Sequence, residues 1–443
     1  MPKLYLKTFM ENLPALSQSW QRLQTWLPPL KREIWILSFG QLMLFIGQGF
    51  TLVYASIYFV NELGFSPTQV GLAQGSIGVS GIVGRFFAGS ALNSPQLGRR
   101  GTLLLSAVIA ALGSFLLASA HTFAVLVAGN LLLGLGISLY WPATLTVTTD
   151  LTEPEHLTEA MALARLADHL GLAVGALMAG QYIAAAGSYP VLFVGKGVLY
   201  LLFSAVIWFT IAETRHTETP LTAWADWGQA LRDRPFVLYL LANLFFPIYA
   251  AQSSSTLPLY LANFMPGGNT ETGFSGQFIS YFFVWHVVLK ICLQLPLTRV
   301  FRSRSHSSLL IAALIVWCLG FVMIWLPHAV PQVALVAVVS AMACLAIADV
   351  LYAPSASALV GDLAPAFLRG IYFSLESQCW AIGFLIGPSL GGWALDHPTT
   401  VGAKLWLYFV LSAAIALALL ILLRREIGSQ TLAAEDETTG PIA

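Results

Sequence analysis

Turn residues and charge clusters divide this chain into twelve apolar stretches, at about 34–60, 68–92, 102–119, 122–149, 158–184, 189–211, 236–262, 275–299, 307–326, 331–361, 366–394 and 403–424. A helix needs roughly twenty apolar residues to cross the hydrocarbon of a bilayer, so each stretch can span and the longer ones permit tilt. Composition agrees: of 443 residues 57% are hydrophobic and only 9% charged, where a soluble protein carries about 25% charged. The mean hydropathy is +0.76. Lys+Arg and Asp+Glu each number 21, which leaves no overall basic field for nucleic acid. Cys292, Cys318, Cys344 and Cys379 fall inside apolar stretches without paired spacing, so neither a disulfide framework nor a metal site is expected, and no cofactor.

The basic residues fix an orientation, because short cytoplasmic loops hold an excess of Lys and Arg. With the N-terminus inside, the inner side receives Lys31, Arg32, Arg99, Arg100, Arg215, Arg232, Arg234, Arg299, Arg302, Arg304, Arg369, Arg424 and Arg425, and the outer loops only Lys404. A wrong number of spans would scramble that bias, so both termini are expected in the cytoplasm. Residues 1–33 interleave Leu13, Leu16, Trp20 and Leu23 with Glu11, Gln18, Gln21 and Arg22, the pattern of an amphipathic cytoplasmic helix lying on the membrane. Residues 212–235 are a polar cytoplasmic linker between bundles at 34–211 and 236–425, and 426–443 is expected to be a disordered tail.

Shifted by 212 residues, the chain matches itself without gaps through spans four and five against ten and eleven. Tyr140, Pro142, Asp150, Leu151, Gly171, Gly175 and Gly180 meet Tyr352, Pro354, Asp362, Leu363, Gly383, Gly387 and Gly392. Six crossings separate the copies, so the two halves share one orientation in the membrane. Span eleven reads Gly383-Phe-Leu-Ile-Gly387-Pro388-Ser-Leu-Gly391-Gly392. Small residues at such spacing let helix backbones approach closely, and packing is the plainer reading of these glycines beside a part in helix bending.

These parallel six-helix halves and the glycine-rich stretch of span eleven resemble the major facilitator superfamily over residues 34–425, in character closest to its drug/proton antiporters. The resemblance implies an all-α integral membrane fold of twelve helices in two parallel-repeat bundles around a central cavity. Between spans two and three such proteins place a glycine, an acid and a basic cluster; here stand Gly89, Asn93 in place of the acid, then Gly98, Arg99 and Arg100. Arg85, Arg99 and Arg100 could meet Asp150, Glu153 or Glu155 as a cytoplasmic gating loop, repeated around Asp362, or could only fix topology. Span four reads Asn130-Leu-Leu-Leu-Gly134-Leu-Gly136, with Asn130 where drug/proton antiporters carry an arginine, so any proton coupling must use other residues.

Charge deep in a bilayer costs roughly 2.5–3.5 kcal/mol, so each intramembrane ionisable group calls for a partner, a watery cavity or a changed protonation state. Arg165, Asp168 and His169 share one face of span five, and His286 and Lys290 one face of span eight. At about 1.5 Å of rise per residue, Asp168 and His169 lie roughly 15 and 16 Å, and Lys290 and His286 roughly 12 and 18 Å, from the inner ends of their spans. The resemblance implies that these spans are neighbours across the two halves. Asp168 is then expected to pair with Lys290 or Arg165, tuned by His169 and His286, either as a proton-linked switch or as a static network. The resemblance also lines the cavity with spans one, four, seven and ten, which puts Asp349 in the solute path as a proton- or cation-binding carboxylate, or else as a buried acid bonded to a neighbouring helix. Glu376 lies on the inner half of span eleven. Gln41, Gln48, Asn130, Tyr140, Trp141, Asn243, Gln252 and Tyr352 are the further cavity candidates, each also readable as helix-packing glue. Lys196 is expected to snorkel outward.

The function expected is secondary active transport of a small organic solute by alternating access, as proton-coupled efflux by a monomer in a bacterial inner membrane. A proton-coupled importer or facilitator is the second reading, ahead of a sensor without flux or a membrane-embedded enzyme. The chain has no Gly-x-x-x-x-Gly-Lys-Ser/Thr phosphate loop. An enzyme would need a nucleophile and base or metal-spaced ligands at one depth, and His169, His286 and Asp168 lack such companions.

Overall fold

The computed structural model describes residues 30–213, 224–301, 304–365 and 368–438, which are almost wholly helical. The first half holds α1 (Arg32–Glu62), α2 (Pro67–Asn93), α3 (Gly98–Ala118), α4 (Phe123–Leu151), α5 (Leu157–Ala186) and α6 (Tyr189–Thr210). A short helix, Trp224–Ala230, leads into α7, which is broken into Arg234–Asn243, Phe245–Ser254 and Thr256–Asn263. Then come α8 (Gly276–Val300), α9 (His306–Trp325), α10 (Ala334–Leu363), α11 (Arg369–Asp396) and α12 (Leu405–Thr438). The amphipathic segment expected at the N-terminus lies outside the described residues, save for its last few. The tail differs from expectation: α12 continues to Thr438, because Gln430, Leu432, Ala433, Ala434 and Glu435 are good helix formers.

Local chemistry sets several boundaries. Ser66 and Gln69 cap α2 reciprocally, Ser66 Oγ accepting from Gln69 N (3.1 Å) and Gln69 Oε1 from Ser66 N (3.0 Å), with Pro67 at the first helical position. Gly187, at φ +68°, ends α5 in the left-handed conformation that a side chain resists.

Within the first half α1 packs on α5 and α6, and α4 on α2 and α3; in the second, α10 packs on α8 and α9, and α7 on α11 and α12. Each half has its own apolar core. Between the halves α2 lies along α11 and α5 along α8. Ten of the twelve helices are long and apolar enough to cross a membrane, and α2 and α11 are the two that fall short. These two face each other along the seam, where protein replaces lipid as the neighbour. Large apolar side chains such as Val108 and Leu112 on α3, Val336 on α10 and Leu411 on α12 are exposed, as a lipid-facing belt requires.

The glycine positions sit at the closest approaches. Gly171 and Gly175 face α1, where a Cβ on Gly175 would overlap the Ile46 carbonyl. Gly180 faces Ser280 on α8; Gly383, Gly387 and Gly391 face α7; and Gly392 faces α2, where a Cβ would overlap the Pro67 carbonyl.

The halves are joined at the end away from the chain termini. There Asn61 and Asn263 exchange two amide hydrogen bonds (3.0 and 2.6 Å), Tyr54 OH meets Ser280 Oγ (3.0 Å), Gln181 Nε2 donates to Tyr281 OH (3.1 Å), and the Thr68 N–H donates to Asp396 Oδ2 (2.8 Å). The core of the second half continues through this end into Val53, Tyr54 and Ile57 of α1.

Candidate functional site

A cavity of about 280 Å³ opens between α1, α2, α3, α4 and α6 and reaches the seam at Ser254 and Ser255 of α7 and Phe384 and Pro388 of α11. Of the residues singled out in the sequence, Gln48, Asn130, Tyr140 and Trp141 line it. Gln48 Nε2 donates to Tyr200 OH (2.6 Å), and the Asn130 amide donates to the Leu126 carbonyl of its own helix (2.8 Å). Gln41 stands behind the wall, its Nε2 donating to Tyr140 OH (3.2 Å).

The other cavity candidates stand elsewhere. Tyr352 OH donates to Asn243 Oδ1 (2.8 Å) inside the second half. This repeats the Gln41–Tyr140 clasp, an amide on the first helix of a half bonded to a tyrosine on its fourth. Gln252 donates to the carbonyls of Ile248 (3.1 Å) and Gly387 (3.0 Å), which makes it packing glue between α7 and α11. Asp349, expected in the solute path, is not in the cavity wall and is bound to α8 instead.

The intramembrane charges gather where α5, α8 and α10 meet. Lys290 Nζ lies 3.0 Å from Asp349 Oδ2 and His286 Nε2 lies 3.4 Å from the same oxygen, while His286 Nδ1 approaches the Met342 carbonyl at 3.2 Å. The Asp168–Lys290 pairing is not made, because α8 and α10 are packed neighbours within one half and Asp349 reaches the ammonium first. Asp168 instead has Arg165 at 3.9 Å, and its Oδ1 is buried without a hydrogen bond. Arg165 also stacks over Trp141, 5.1 Å from the ring centre. His169, on α5, lies on the helix that packs along α8 and is within electrostatic reach of Lys290, Asp349 and His286. Nearer the terminal end, Arg85 on α2 and Glu376 on α11 interact electrostatically across the seam, and Arg85 Nη1 is buried without a hydrogen bond.

At the terminal end of the first half, Arg99 forms an ion pair with Asp150. The backbone N–H groups of Arg99 and Arg100 donate to the Glu213 carboxylate (2.9 and 3.1 Å), an anion on the N-terminus of α3. Arg100 lies over the Trp208 ring at 4.8 Å. The second half repeats the latch with His306 Nε2 and Asp362 Oδ2 at 3.6 Å. The Asn93 side chain is outside the described residues. Glu213 went unassigned in the sequence because a carboxylate in a polar linker carries no signal of the helix end it will cap.

Lys196 overturns an expectation. It is only 4% exposed, lies in the cavity wall rather than snorkelling to the surface, and donates to Thr51 Oγ1 at 3.0 Å. At Gly47 the backbones of α1 and α6 come close, an added Cβ lying 3.3 Å from the Lys196 Cα.

The sequence matches the family model described as the Major Facilitator Superfamily twice, over residues 37–268 and 261–443. The chain belongs to the major facilitator superfamily. As a superfamily member it is similar to the multidrug resistance protein MdtH of Cronobacter sakazakii (strain ATCC BAA-894), 27% identical over 79% of this chain and 83% of that protein. It is also similar to the uncharacterized MFS-type transporter YttB of Bacillus subtilis (strain 168), 24% identical over 88% of this chain and 95% of that one. Among solved structures the fold is shared with the nucleoside transporter NupG, at TM-score 0.73 and 13% identity over 89% of this chain and 99% of that one. It is shared as well with the POT family transporter PepTSo, at TM-score 0.76 and 13% identity over 91% and 99%. The superfamily accounts for the architecture: a multi-pass membrane transporter of two six-helix bundles, not an enzyme.

Proposed function

We propose that this transporter is a proton-coupled exporter of small amphipathic organic compounds, working by alternating access, with both termini in the cytoplasm of a bacterial inner membrane. The observation that carries the reading is the pairing of a part-aromatic, part-amide cavity at the seam with the Lys290–Asp349–His286 cluster facing Asp168 and His169 beside it. A carboxylate that exchanges lysine for a proton can link the seam's rearrangement to proton entry, since two charges in low dielectric interact strongly and neutralising one releases the other. The excess of Lys and Arg at the terminal end supports a cytoplasmic assignment for that end, so joined far ends correspond to an inward-facing state. Similarity to MdtH proteins supports export of drug-like solutes.

The test is uptake into proteoliposomes under an imposed pH gradient. Wild type accumulates solute only with the gradient, whereas Asp349→Asn equilibrates solute without accumulating it. Normal gradient-driven accumulation by Asp349→Asn refutes the coupling role. Asn130, standing where drug/proton antiporters carry arginine and bonded to its own helix, favours facilitated diffusion as the second reading; wild type would then never exceed equilibrium.

A further inference from the structure

Among the described residues Lys196 Nζ has no carboxylate partner. Its one hydrogen-bond acceptor is Thr51 Oγ1, whose own hydroxyl is directed at the Gln48 carbonyl (3.4 Å). Among the described residues no Asp or Glu forms an ion pair with it, and α1 and α3, which pack against α6, carry acids only at Glu33 and Glu62, at the two ends of α1. An ammonium has three donors, so two remain beyond the bond to Thr51. Sealing an unpaired cation in a protein interior is costly, and a chain tolerates it where the open space beside it supplies what the protein does not.

That space has a definite character. Phe45, Phe59, Tyr140, Trp141 and Phe193 bring aromatic surface to the wall, and Lys196 is its one charged residue. Aromatic walls interleaved with amides such as Gln48 and Asn130, around a single cation, match a solute with a ring system at one end and an anionic group at the other. We propose that the cavity binds an amphipathic aromatic carboxylate, its anionic group on Lys196 Nζ and its ring against the aromatic side chains of the wall. This rests on the reading of the cavity as the solute site. Lys290, in the other half, cannot play the same part, because Asp349 already occupies it.

Full-length protein in nanodiscs is titrated with three probes that share one ring system, 1-naphthylacetate, 1-naphthylacetamide and 2-(1-naphthyl)ethylammonium, with thermal unfolding and tryptophan fluorescence as readouts. The acetate is expected to bind about tenfold tighter than the other two, as a charge-assisted bond in a buried site gives. Lys196→Met and Lys196→Gln erase the preference and Lys196→Arg keeps it. Equal binding of the three probes by wild type overturns the proposal, and so does a preference that survives Lys196→Met; the wild-type comparison decides even where a variant fails to fold. Transport is measured separately in vesicles. A carboxylate preference without flux of any solute sinks the transporter reading and leaves this site standing, while flux without the preference does the reverse.

Discussion

Lys290, Asp349 and His286 show how a few side chains determine what the membrane interior will tolerate. Each of Lys290 and Asp349 keeps about a fifth of its side chain exposed, 21% and 22%, so breaking the pair should cost less than the about 3–5 kcal/mol of a fully buried one. Lys290→Met leaves a carboxylate with only the imidazole for company. The double variant Lys290→Met/Asp349→Asn removes both charges and should unfold at a higher temperature than Lys290→Met alone. A double variant no more stable than the single would show that the pair is not the stabilising contact. The amide–tyrosine clasps are a second case at this scale. Tyr352→Phe strips Asn243 Oδ1 of its donor and should lower stability by about 1–3 kcal/mol, the cost of an unsatisfied buried polar group, measured by thermal unfolding in detergent. These residue types were legible in the sequence because charge and amide groups are rare in apolar spans. Their partners were not: spacing along one helix gives the face, and only the neighbour's position gives the acceptor.

Helix pairs are governed by how closely two backbones can come. The α1–α5 contact is built on Gly49, Gly171 and Gly175; a Cβ on Gly49 would sit 2.6 Å from the Leu172 carbonyl. Gly175→Leu should therefore push α5 off α1 and cost about 1–3 kcal/mol, as overpacking does, seen as a lower unfolding temperature, while Gly361→Ala, where nothing lies within 4 Å, should be neutral. Equal effects of the two would remove close approach as the reason for these glycines. At this scale the chain was readable nearly throughout, since apolar run length and turn residues act locally. The end of α12 escaped because charged helix formers such as Glu435 and Glu437 look the same in a helix as in a polar tail.

For the molecule as a whole, the arrangement of the seam matters most: the joined far ends and the first-half cavity that reaches it. Asn61 and Asn263 occupy the tips of α1 and α7 and bond each other across the halves. Alternating access requires them to separate once in each cycle. In a background with the four native cysteines replaced by serine, Asn61→Cys/Asn263→Cys bridged by a short thiol cross-linker should stop transport, and reduction of the link should restore it. Undiminished flux in the cross-linked protein would mean that this end does not open.

Hydrophobic length and local turn chemistry act over a few residues at a time, so the crossings, their rough ends, the repeat and the family could be read along the chain. Which charges meet depended on how the helices pack. Asp349 rather than Asp168 took Lys290, and Lys196 turned inward to a cavity instead of out to the headgroups, where Thr51 on α1 accepts its hydrogen bond. A side chain's direction depends on the helix it packs against, and that neighbour lies far away along the chain.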